Sequence, residues 1–188
     1  MKKQLAIICV ASIIAISGCG NNGTPSNQPN QSQENVNQGM NHANLNHSGS
    51  AEVPKGLKEA SNPTYKVGSQ VIIKSDHMEG MNGATATVVG AYDTTAYSIS
   101  YTPTTGGPKV KNHKWIIHEE IKNAGSEPFK PGSEVIVQAD HISGMNDVTA
   151  TIDSAQPTTV YMVDYMPTTG EAMVRNHKWV IESELSTK

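Results

Sequence analysis

Asp76-His77-Met78-Glu79-Gly80-Met81-Asn82 returns 64 residues further along as Asp140-His141-Ile142-Ser143-Gly144-Met145-Asn146. At the same offset, Asn112-His113-Lys114-Trp115 returns as Asn176-His177-Lys178-Trp179. Both belong to one longer unit. Residues 65–121 align with residues 129–185 without a gap, and roughly half of the positions are identical. A fixed period with no insertion marks one structural unit used twice. The copies share His, Met, Asn and Trp at matching positions, residue types whose chemistry extends beyond packing.

In the first copy, residues 71–73 form a short strand entered from the turn Lys66-Val67-Gly68-Ser69. The Gly-bearing loop 76–83 follows. Residues 84–89 alternate β-branched with smaller side chains, as a second strand does. Tyr92-Asp93-Thr94-Thr95 reads as a turn, residues 96–102 as a third strand, and Pro103-Thr104-Thr105-Gly106 as a turn by composition. Residues 107–111 open a fourth strand, and residues 115–117 continue it or form a fifth. Glu119-Glu120-Ile121 is expected to form a short helical turn. Such short strands and tight turns predict a small antiparallel β-barrel. The opening Lys-x-Gly-x-x-Val-x-Ile, then a Gly-bearing loop and Ala-Thr-Val, resembles the start of an SH3-like barrel. The expected fold is therefore all-β: two tandem SH3-like barrels, residues 63–124 and 125–188, after a disordered linker. Each copy is marginal in size alone, so the two are expected to pack together.

The chain before residue 63 has a different character. Lys2 and Lys3 precede an apolar run at residues 5–16, which ends in Ile16-Ser17-Gly18-Cys19. So short a run fits a secretory signal rather than a membrane span. Its ending is similar to the lipobox of bacterial lipoproteins, in which the Cys becomes the first mature residue and carries the lipid. Residues 1–18 are read as signal peptide and Cys19 as the lipid attachment point. Cys9 leaves with the signal, so the mature chain has no free thiol and no disulfide, which excludes thiolate nucleophiles and thiolate metal sites. Residues 19–62 are rich in Asn, Gln, Ser and Gly and cannot bury enough surface to offset the entropy of ordering. Such a coil reaches roughly 35 Å from the lipid. It contains Met40-Asn41-His42-Ala43-Asn44-Leu45-Asn46-His47, either ordinary polar linker or a loose metal-collecting site.

The net charge is −3, and −5 once Lys2 and Lys3 are removed. An acidic chain without basic clusters is a poor partner for nucleic acid. No Ser/His/acid arrangement and no phosphate-cradling Gly loop is present. Asp76 beside His77 has no accompanying nucleophile, so the chain is expected not to be an enzyme.

Alternation in the third and fourth strands points to a soft metal. With Met166 opposite Glu171 and Asp164 opposite Met173, one face holds Val160, Met162, Asp164, Met166, Met173, Arg175 and His177. Repeat one places Ala96, Ser98, Ser100 and Thr102 on the matching face, which reads as solvent-facing. The other face, with Tyr97, Ile99 and Tyr101, reads as core. Met162, Met166 and Met173 then either pack under the other repeat or act, with His177, as soft ligands. In the repeated loop, His77, Met78 and Met81 lie within five residues, and His113 from another strand can close the set. Repeat two offers His141, Met145 and His177, with Ile142 in place of Met78. Each such residue alone has a structural alternative, His as a turn cap and Met as core. The repeated His–Met–His set in a chain without thiols favours a metal. Imidazole suits Zn or copper, and thioether sulfur tips the choice to Cu(I). Trp115 and Trp179 are expected in the core or at a barrel rim.

The sequence Asp-His-Met-x-Gly-Met-x-Gly-Ala-x-Ala-Thr-Val-x-Gly-Ala-Tyr-Asp-Thr-Thr, then Tyr-Thr-Pro-Thr-Thr-Gly-Gly and Asn-His-Lys-Trp-Ile, strongly resembles the YdhK-type lipoproteins of Gram-positive bacteria. The likeness spans residues 65–185. Staphylococcal CopL-type lipoproteins, surface copper-binding proteins linked to copper resistance, are similar. The resemblance implies Cu(I) binding outside the membrane, alongside a copper-exporting ATPase, by a protein held on the cell surface through its lipid. The alternative is an SH3-like module that binds the cell wall or an envelope partner and has no metal role.

Overall fold

The computed structural model describes residues 48–188. The expected signal peptide at residues 1–18, the expected lipid attachment point Cys19 and the motif at residues 40–47 lie outside the described residues. Thr, Val, Tyr and Ile favour extended backbone over both halves of residues 85–101, and the stretch between them joins in. β3 (Thr85–Tyr101) is one strand of 17 residues, and its counterpart β6 (Thr149–Tyr165) has the same length. The two pair antiparallel along nearly their whole lengths, from Ala86 opposite Tyr165 to Tyr101 opposite Ala150. Tyr92-Asp93-Thr94-Thr95, expected as a turn, lies mid-strand opposite Val160, Thr159, Thr158 and Pro157. Turn composition loses because the other repeat supplies a partner strand across the junction, which no single repeat contains.

The remaining elements dress this central pair. β1 (Lys58–Glu59) and β2 (Gln70–Ile73) pair with β3, and β5 (Glu134–Ile136) pairs with β6. β4 (Val110–Ile117) folds back on the second half of β3, as β7 (Val174–Ile181) does on β6. Short 3-10 turns follow at His118–Glu120 and Glu182–Glu184. β8 (Leu185–Thr187), the end of repeat two, pairs with β2 of repeat one. All pairings are antiparallel, and the described residues contain no α-helix. The strand path β5-β6-β3-β2-β8 has two ends, so the sheet does not close into the expected pair of barrels.

The packing units are not the sequence repeats. One core joins Val71, Ile73, Met81, Ala86 and Val88 of repeat one to Tyr161, Val163, Tyr165, Val180 and Leu185 of repeat two. The other joins Tyr97, Ile99, Tyr101, Ile116 and Ile121 to Val135, Val137, Met145, Ala150 and Ile152. Each core thus takes the first half of one repeat and the second half of the other. A third cluster lies between them, with Trp115, Ile117, Trp179, Ile181 and Met162. Register shifts in the β3–β6 ladder, between Val88 and Gly90 and between Ser98 and Ile99, let each strand hand its side chains from one core to the next.

Burial pushes the phenol of Tyr161 up to about 12, as it does that of Tyr165, with Glu182 and Glu171 respectively adding to the effect. A raised value stabilises the fold fully below the unfolded value of 10.0 and is lost as pH rises through about 12. Alkaline unfolding is therefore expected in that window, worth on the order of 2 kcal/mol per tyrosine. Tyr165→Phe should weaken the pH dependence, followed by phenolate absorbance alongside circular dichroism.

Candidate functional site

The repeated loop docks one repeat on the other. Gly80 and Gly144 have φ of 74° and 82°, the left-handed region where a side chain is disfavoured. The Gly80 carbonyl accepts the Thr168 backbone N–H at 2.9 Å and its hydroxyl at 3.2 Å. Gly144 accepts from Thr104 in the same way, at 3.0 and 3.3 Å. The loop of each repeat therefore sits on the Pro-Thr-Thr-Gly turn of the other. A Cβ at Gly80 would lie 2.7 Å from Thr169 Oγ1 and 3.0 Å from Pro167 Cβ. Gly80→Ala should lower stability by roughly 1–3 kcal/mol, read as a lower thermal midpoint.

This docking places His77 beside a carboxylate of the other repeat. His77 Nε2 lies 2.7 Å from Glu184 Oε1. The other carboxylate oxygen accepts the Trp115 indole N–H at 3.0 Å and the Ile181 backbone N–H at 3.2 Å. Burial alone would push the Glu184 carboxyl up. The His77 hydrogen bond and charge, the Trp115 N–H and the Ile181 amide outweigh burial and hold it below the usual carboxylate range. The second copy repeats the arrangement. His141 Nε2 lies 2.8 Å from Glu120 Oε1, Trp179 Nε1 donates to the same carboxylate at 3.1 and 3.2 Å, and the Ile117 N–H donates at 3.0 Å.

A carboxylate oxygen accepts, so Nε2 of each histidine donates, and in the neutral ring Nδ1 is then the nitrogen that carries the lone pair. Both Nδ1 atoms are buried with no hydrogen-bond partner, on side chains only 10% and 11% exposed. A histidine whose second ring N–H is held by a carboxylate is the usual form of a metal-ligating imidazole.

His77, His113, His141 and His177 all line one cavity of about 840 Å³, with Met78 and Ile142 at matching places and Asp76 and Asp140 nearby. Among the described residues, no three His, Cys, Asp or Glu stand close enough together to enclose an ion. The expected group of His77, Met78, Met81 and His113 is divided between the cavity and the core. His77, Met78 and His113 reach the cavity, while Met81 is wholly buried in the first core, its sulfur accepting from Ser75 Oγ at 3.9 Å. Met145 is its counterpart in the second core.

The methionine face is not the expected solvent face. Tyr165 pairs with Val174, Val163 with His177 and Tyr161 with Val180, with a register shift at each step. Asn176, at φ 49°, takes a left-handed conformation, so strict alternation does not survive along β7. Met162 is buried in the central cluster, and Ala96 and Ser98 of repeat one are buried too, Ser98 bonded to Ser154 at 2.6 Å. Met166 and Met173 are 49% and 42% exposed at the hairpin end and do not line the cavity. Of the three, only Met162 packs inside.

The sequence reasoning missed Glu120 and Glu184. The signal was available: both are identical at the 64-residue offset, in the segment expected to be a helical turn. Trp115 and Trp179 belong to the core as expected, but their indole nitrogens also hold the carboxylates in place.

Residues 67–118 and 131–182 each match a family described as a protein of unknown function, DUF1541. The chain is 54% identical over 187 residues to a Bacillus subtilis strain 168 protein named as uncharacterized protein YdhK, spanning 100% of this chain and 90% of that protein. A crystal structure of a DUF1541 family protein from Bacillus subtilis superposes with a TM-score of 0.75 at 62% identity, over 78% of this chain and 100% of that one. A solution structure of a YdhK C-terminal domain from Bacillus subtilis gives 0.63 at 63% identity, over 65% of this chain and 93% of that one. By its two matching repeats and its full-length relative, the chain belongs to the DUF1541 family.

Proposed function

We propose that this protein binds Cu(I) in the histidine-lined cavity and buffers copper outside the cell membrane, held there by lipid on Cys19. The observation that carries the proposal is the pair of buried Nδ1 atoms on His77 and His141, each on a ring whose Nε2 is held by a glutamate. Neutral imidazole nitrogen suits copper, and Met78 adds a soft thioether on the same cavity wall. Met81, Met145 and Met162 pack in the cores and are left out of the ligand set, as are the outlying Met166 and Met173. The resemblance of the sequence motifs to CopL-type lipoproteins supports the choice of ion and of a copper-exporting ATPase as a partner.

The test is a titration of the soluble chain from Gly20 onward against a coloured Cu(I) chelator, with Zn(II) and Cu(II) in parallel. Withdrawal of copper from the chelator supports the proposal. If the folded chain leaves all copper on the chelator, copper binding is ruled out.

A second reading, a module that grips a wall glycan or peptide, is favoured by the cavity's size, which lies within the range of small-molecule sites. Pull-down on purified cell wall in the presence of a metal chelator separates the two.

A further inference from the structure

The two halves of the fold differ along the edges of β4 and β7. Residues ahead of repeat one lie against β7. The Gly49 N–H donates to the Arg175 carbonyl at 2.9 Å, and the Arg175 N–H donates to Ser48 Oγ at 3.0 Å. Asn176 Nδ2 donates to the Gly49 carbonyl at 3.3 Å, and Lys178 Nζ donates to the Glu52 carbonyl. This short segment also lines the histidine cavity. The approach is close, since a Cβ at Gly49 would lie 2.8 Å from the Asn176 carbonyl oxygen.

The equivalent edge belongs to β4, where Lys111, Asn112 and Lys114 stand for Arg175, Asn176 and Lys178. One N-terminal segment cannot fill two edges. At the 64-residue offset, the counterpart of residues 48–52 is residues 112–116, which are β4 itself. Among the described residues, β4 has β3 as its only strand partner. The exposures agree: Asn112 and Lys114 are exposed where Asn176 and Lys178 are half-buried, and Val110 is half-buried where Val174 is buried.

We propose that the cavity-side edge of β4 at Lys111 and Asn112 is a docking slot for an extended peptide segment of another protein, with glycine where the backbones approach most closely. The recognition is by main-chain hydrogen bonds to a strand edge, as in β-augmentation. The Lys111 main chain would take the place of the Arg175 main chain, Asn112 Nδ2 that of Asn176, and the Lys114 ammonium would reach a peptide carbonyl. The segment bound to β7 is the internal template for the occupant. It is already engaged there, so a second copy of this chain is not the favoured source.

The test is a metal-free titration of the isotope-labelled chain from Gly20 onward with a capped peptide of the sequence of residues 48–53, followed by amide NMR. Saturable shifts at Lys111, Asn112 and Lys114, with Arg175 and Asn176 unmoved, are the expected result. A peptide with Val in place of its glycine should lose the effect, and the protein itself is unaltered in that control. Shifts confined to Arg175 and Asn176 would mean exchange with the chain's own segment and would overturn the proposal. So would the absence of movement at millimolar peptide. Shifts at Lys111 and Asn112 on raising the protein concentration without peptide would also overturn it, by making a second copy the occupant.

Discussion

Replacing both Glu120 and Glu184 by Gln is expected to lower Cu(I) affinity by roughly 10–100-fold for each site, without unfolding the protein. Gln keeps the shape, but its single carbonyl oxygen accepts on one side of each site only, and its NH2 faces N–H donors on the other, which lowers the melting midpoint. It removes the negative charge that makes each Nδ1 a better donor. His77→Ala with His141→Ala removes the donors themselves and should cost more than the double Gln variant. Met166→Leu with Met173→Leu should leave affinity unchanged, because both side chains lie at the exposed hairpin end. Chelator competition reads affinity, and thermal melts confirm that each variant is folded. Should the Gln variants keep full affinity while the His variants lose it, the carboxylates serve folding alone. Should the His variants also keep it, the copper site lies elsewhere.

Neither repeat is expected to fold as a monomer by itself, and the two are expected to fold when mixed. Residues 63–124 alone keep Val71, Ile73, Met81 and Val88 of one core and Tyr97, Ile99, Tyr101 and Ile116 of the other, and lose the facing half of each. The long strand β3 also loses its partner β6, along which nearly every residue from Ala86 to Tyr101 is paired. A fragment of this size has little apolar surface to bury in any case. Separate fragments 63–124 and 125–188 should show poor amide dispersion and no cooperative melt at low concentration. An equimolar mixture should recover both. A folded, monomeric single repeat would show that each repeat can close its own core.

The loop around His77 illustrates how far the chain itself could be read. Its glycine was legible as a tight path, and Gly80 does take a positive φ. What the loop rests on was not legible, because its partner Thr168 lies 88 residues away in the other repeat. Met81 and Met145 looked like ligands because they neighbour histidine in sequence. They turn into the cores, where a flexible thioether fills an irregular gap. Met162 illustrates the same limit for strands. Alternation put it on a wet face, but the register shifts along β7 and the packing of the central cluster put it inside.

The sequence by itself determined the all-β class, the two-fold repeat and its period, and the histidines worth examining. Those properties follow from local composition and from internal identity, which need no knowledge of distant contacts. Only the tertiary structure decided that β3 and β6 run unbroken through an expected turn, that each core is shared between repeats, and that Glu120 and Glu184 orient His141 and His77. The physical reason is that each repeat carries only half of each core and the partners of its buried polar groups lie in the other half. The lowest free energy is reached by joining unlike halves, and nothing local to either repeat specifies that exchange.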